Sequence, residues 1–81
     1  MAYTLYKSTR LQARLFFKNK GATEIVYLTH KDRWGKIIPN KDLEYYFKDG
    51  CEIGYFCAPT NTFLQINRSW GDHLNFTKLG L

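Results

Sequence analysis

The chain has 81 residues and a formal net charge of +5 at neutral pH, a length that allows one domain, expected over residues 1–81, and no more. Hydrophobic residues make up 44%, with six Phe, six Tyr and two Trp, enough for a modest core without disulfide or metal support. The longest apolar run, IVYL, is far short of the ~20 residues a membrane helix needs, and the N-terminal residues lack the basic-then-apolar pattern of a secretion signal, so a soluble cytoplasmic protein is expected.

The charge is uneven. Residues 1–23 carry Lys7, Arg10, Arg14, Lys18 and Lys20 with no acid, while the middle third is slightly acidic. Such asymmetry favours an anionic partner. Lys, Asn, Ile, Phe and Tyr account for 30 of the 81 residues, the bias of an AT-rich gene, which associates the chain with phages and mobile elements.

In chain order, RLQARLFFKNKG (residues 10–21) comes first. Leu11, Ala13, Leu15 and Phe17 alternate with Arg10, Gln12, Arg14 and Phe16, and a helical winding yields no clean apolar stripe, so the spacing predicts a strand. The competing reading is a helix over about residues 8–20, capped by Ser8 and stopped by Gly21. KNKG then reads as a hairpin turn, and TEIVYLTH, rich in β-branched and aromatic residues, as the returning strand. KDRWGK reads as a turn and KIIP as a short strand ended by Pro39. NKDLEYYFKDG predicts the one helix, about residues 41–49, with Asn40 as cap, Gly50 as stop, and Leu43, Tyr46 and Phe47 on its buried face. CEIGYFCA and TFLQINRSW read as strands joined by PTNT, and the tail as a last edge strand. The sum is a small α+β domain: an antiparallel sheet of about five strands with one short helix.

Cys51 and Cys57 lie six residues apart in a strand, beyond disulfide reach. They are expected as buried free thiols on the face of Ile53 and Tyr55. His30 and His73 lack the paired spacing of a zinc site, and no cofactor or metal is expected.

Two candidate surfaces emerge. On a strand, Arg10 and Arg14 would share one face, where phosphates can meet them. Phe16 would stack a base, and Lys18 and Lys20 would extend the patch. Trp34, flanked by Lys31, Arg33 and Lys36, is the second candidate, as a stacking platform or as an anchor in a partner's pocket. In GDHLNF, Asp72 precedes His73. That run is similar over six residues to a Gly–Ser–His–aromatic motif of small mRNA-cleaving toxins, with Asp72 in place of the serine. No second acid–base group is evident, so catalysis is not expected. The leading expectation is a non-enzymatic protein that binds RNA or another single strand through Arg10, Arg14, Phe16, Lys18, Lys20, Arg33 and Trp34. The alternative is a phage-type inhibitor that docks on a host protein through Trp34, Tyr45 and Phe56. An unpaired strand edge also offers a route to a homodimer.

Overall fold

A computed structural model describes residues 4–71 and 75–81. The described residues form one helix, α1 (Arg10–Asn19), and seven strands: β1 (Leu5–Lys7), β2 (Glu24–Lys31), β3 (Ile37–Pro39), β4 (Leu43–Lys48), β5 (Cys51–Cys57), β6 (Thr62–Arg68) and β7 (Phe76–Gly80). All pair antiparallel in the order β1-β6-β5-β4-β2-β3, with β7 also pairing β2. The α+β class is as expected, with two more strands than the five anticipated.

The helix lies elsewhere. Residues 10–19, expected as a strand, wind into α1. Thr9, not Ser8, is the cap: its hydroxyl accepts from the Gln12 N–H at 3.2 Å, and the Gln12 side chain accepts from the Thr9 N–H at 2.9 Å. That reciprocal pair satisfies two otherwise open donors at the helix start. Ala13 and Phe17, one turn apart, are fully buried on the sheet, whereas Leu11 and Leu15 point to solvent, 67% and 53% exposed. Alternation misled because two leucines lie outside while two arginines, at positions 10 and 14, turn toward the sheet.

Residues 41–49, expected as the helix, instead contain β4. Asn40 caps a turn, its side chain accepting from the Asp42 N–H at 3.1 Å. Asp49 and Gly50, with φ of 53° and 80°, form the two-residue left-handed turn that joins β4 to β5. This is the Asp-Gly hairpin connection whose twist matches that of its strands. β4 is central and buried on both faces, so its apolar residues run continuously and imitate a helical stripe.

The helix-side core contains Ala13, Phe17, Ala22, Ile25, Tyr27, Tyr46, Phe56 and Phe63. Phe17 stacks on Tyr46, with ring centroids 4.5 Å apart, and reaches the sheet because Gly54 leaves it room; a Cβ there would overlap the Phe17 ring. Val26, Tyr45 and Phe47 form a second cluster, against which Leu28, Leu43, Tyr55 and Trp70 pack. A register shift between Glu52 and Gly54 breaks the alternation of β5. Ile53 therefore joins the helix-side core while Tyr55 packs on the other cluster. Contrary to expectation, Cys51 is exposed and Cys57 half-buried, because β5 ends at the rim of the sheet. Among the described residues no helix is long and apolar enough to cross a membrane.

Candidate nucleic-acid interface

Two carboxylates, Glu44 and Glu52, are fully buried, one in each layer of packing. Glu44 accepts from Arg14 Nε at 3.0 Å and Nη2 at 2.7 Å, from the Tyr27 hydroxyl at 2.9 Å and from the Tyr46 hydroxyl at 2.8 Å. Arg10 Nε adds an ion pair at 3.3 Å, and Arg10 Nη2 donates to the Lys41 carbonyl. Burial by itself pushes the Glu44 carboxyl up. The hydrogen bonds from Arg14, Tyr46 and Tyr27, with the charge of Arg14, outweigh it and hold the group below its ordinary value. The hydrogen bond to Glu44 raises Arg14, and burial followed by the Glu44 contact raises both tyrosines. Glu52 accepts from Arg68 Nε at 3.0 Å and Nη2 at 2.9 Å, and from Trp70 Nε1 at 2.6 Å. Among the described residues no buried side-chain nitrogen or oxygen lacks a partner.

Residues 10–19 are helical, so the expected basic strand face does not exist as such. Arg10 and Arg14 sit on a helix, and each turns part of its guanidinium to Glu44, Arg10 also to the Lys41 carbonyl. Phe16 is half-buried, its ring centroid 4.8 Å from that of Phe63 and edge-on to Phe17, with Lys20 Nζ 5.5 Å from the ring centroid. Lys18 and Lys20 are exposed at the end of α1, where Lys18 complements the helix dipole. They stand at the start of β2, whose eight residues carry the chain about 25 Å away to the β2–β3 hairpin. Tyr45 and Phe56, the other expected docking anchors, are 9% and 1% exposed and belong to the core. Tyr45 stood outside on the helix expected over residues 41–49 and Phe56 by strand alternation, whereas both lie in a sheet covered on its two faces. Asp72 and His73 lie outside the described residues.

Arg33 and Trp34, by contrast, are brought together and displayed. At its far end, β2 pairs β3 through Thr29↔Pro39, His30↔Ile38 and Lys31↔Ile37, while its pairing with β4 stops at Val26. The hairpin thus reaches beyond β4, and Trp34 at its apex is 80% exposed. The turn is tightly tied. Asp32 Oδ1 accepts from the backbone N–H groups of Trp34 and Lys36, each at 2.9 Å, and the Asp32 N–H donates to the Lys36 carbonyl at 3.0 Å. The only acid of the turn is therefore occupied by the backbone, while Lys31, Arg33 and Lys36 remain exposed. The Arg33 guanidinium lies 5.2 Å from the Trp34 ring centroid, backing the indole with a cation.

The sequence reading did not single out Phe76 and Lys78. Both are exposed on β7, with Lys78 Nζ 5.6 Å from the Phe76 ring. Their i, i+2 spacing within a strand was the available signal. Between β7 and the base of the hairpin runs a groove of about 430 Å³. Among the described residues no cluster of three His, Cys, Asp or Glu side chains could hold a metal. Comparison with protein-family models, with curated proteins and with solved structures finds no match to this chain.

Proposed function

We propose that this protein is a non-enzymatic, cytoplasmic nucleic-acid-binding protein that takes RNA or another single strand in preference to a duplex, with the β2–β3 hairpin as its contact. One observation carries the reading. Trp34, 80% exposed, stands on a turn held by Asp32, among three cations whose only acidic neighbour in the turn is bonded to the backbone. A large aromatic left in water on a rigid support loses little conformational freedom when it stacks. A base on such a ring contributes about 1–3 kcal/mol and needs no sequence match. Lys31, Arg33 and Lys36 supply the phosphate contacts, and the single strand is favoured because its bases are free to leave the stack. Arg10 and Arg14 contribute to the fold rather than to this contact.

The test is a fluorescence-anisotropy titration of labelled single-stranded RNA, single-stranded DNA and duplex at two salt concentrations. Binding should be saturable and tightest for a single strand. Trp34→Ala should weaken it about 5- to 150-fold while changing stability by less than about 0.5 kcal/mol. Each of Lys31→Ala and Lys36→Ala should lower the logarithmic salt slope by about 0.7. Absence of binding at low salt would refute the proposal.

A second reading rests on the apolar side of the same hairpin, where Ile37 is 61% exposed near Trp34. A phage-type inhibitor docking Trp34 into a host protein's pocket would place its hot spot there. Under that reading Ile37→Ala costs as much affinity for the partner as Trp34→Ala, and nucleic acid does not compete.

A further inference from the structure

We propose that the groove beside the hairpin holds the continuation of the strand bound at Trp34, so that the ligand is a single-stranded oligonucleotide spanning two aromatic platforms, Trp34 and Phe76. The inference rests on the nucleic-acid reading of the hairpin.

The groove, of about 430 Å³, lies where His30, Lys31 and Ile37 of the hairpin base meet Thr29 and the start of β7, from Asn75 to Thr77. Its size is within the range of sites that take a small organic molecule. Its described lining offers an aliphatic side chain, two hydroxyls, an amide, an imidazole and a cation, with no acid, and Phe76 borders it with its ring turned to the Leu28 and Trp70 face of the sheet. Phe76 is 38% exposed and rests edge-on against Trp70, 5.9 Å between centroids, so its position is supported from behind.

Phe76 repeats the arrangement at the hairpin tip. Each ring has a cation against it, Arg33 for Trp34 and Lys78 for Phe76, at 5.2 and 5.6 Å. A base that stacks on either ring brings its phosphate to that cation. Lys31 is shared by both parts, since it is the last residue of β2 and also lines the groove. From Lys31 to the apex is three residues, at most about 10 Å of chain. A strand leaving the Trp34 base therefore meets Lys31 and then the groove, with Lys78 beyond. Thr29, Thr77 and Asn75 offer hydrogen-bonding groups to the sugar and base edges there, which suits an unpaired nucleotide and not a duplex.

The experiment titrates the full chain with fluorescent homopolymeric oligonucleotides of one, two, four and eight residues, both ribo and deoxy. Affinity should climb with length and level off at about four residues, the lower end of single-strand site sizes. Phe76→Leu keeps the apolar contact with Trp70 but removes the stacking face, and should weaken the octamer by at least about fivefold. Lys78→Gln, at an exposed position, should lower the salt slope by about 0.7, a readout that a folding defect would not imitate. Thermal melts accompany both variants. If both variants bind the octamer as the parent does while Trp34→Ala still weakens it, binding is confined to the tip and this inference is wrong, with the hairpin reading intact. If the parent binds no octamer at low salt, the hairpin reading falls and takes this inference with it.

Discussion

Replacing Arg14 with methionine keeps most of the aliphatic length of the side chain and removes both guanidinium hydrogen bonds to Glu44, at 3.0 and 2.7 Å. The carboxylate stays fully buried. Two tyrosine hydroxyls and the 3.3 Å contact with Arg10 remain. Stripping one partner from a buried ion pair costs about 3–5 kcal/mol. The low end applies here, because the Arg14 side chain is 38% exposed and Arg10 covers part of the charge. A loss of about 3 kcal/mol is a large share of the total for a chain this size, which is about 4–12 kcal/mol at typical stability per residue. With a urea slope of about 1 kcal/mol/M, the unfolding midpoint drops by about 3 M. The assay is equilibrium urea denaturation followed by circular dichroism. Adding Glu44→Gln to the variant should recover at least half of the loss, since the amide oxygen accepts from one tyrosine and its NH2 donates to the hydroxyl of the other, with no stranded charge. Arg10→Met should cost less than Arg14→Met, having the longer contact. A midpoint shift under about 1 M, or no recovery in the double variant, would refute the assignment of Arg14 to the fold and return it to the surface.

The same network sets the pH limits. Glu44 is held below its ordinary value in the folded state, so its contribution is complete above the unfolded carboxylate range of about 4.3 and is lost as pH falls below it. Tyr27 and Tyr46 are raised, so their contribution is complete below about pH 10 and declines as pH rises past it. Tyr46→Phe should make that alkaline decline shallower in pH-dependent urea melts. Gly54→Ala places a methyl into the Phe17 ring and should cost about 1–3 kcal/mol in thermal denaturation, with Phe17→Leu in the same chain relieving part of the overlap. Trp70→Phe removes the 2.6 Å donor to buried Glu52 and should cost about 1–3 kcal/mol, whereas it should leave oligonucleotide binding at Trp34 unchanged.

Much of the sheet was legible in the residues alone. The β-branched and aromatic run of β2, the alternation in β5 and β6, Pro39 at the end of β3 and the edge strand in the tail depend on local pattern, and local pattern suffices where one element has one preferred period. The short β1 strand was not read, because three residues carry too little periodicity to register. Within the candidate site, the turn KDRWGK and its pairing of Trp34 with Arg33 were also visible, since the turn is made by its own residues.

Two segments exchanged roles, and only the tertiary structure decided them. Residues 10–19 and 43–48 each fit both periods tolerably: the first buries Ala13 and Phe17 on one side and leaves leucines in water, and the second is apolar on both faces. What separates the alternatives is the partner of each polar side chain. Glu44 can be buried in β4 because Arg14, thirty residues earlier, reaches it from the helix above, and Phe17 can approach the sheet because Gly54 has no side chain. Neither condition is local. Composition and spacing determined that the chain would be a small basic α+β domain with an aromatic turn among cations. Long-range burial of charge determined which segment is the helix, and so which arginines support the fold and which cations are left exposed at the hairpin.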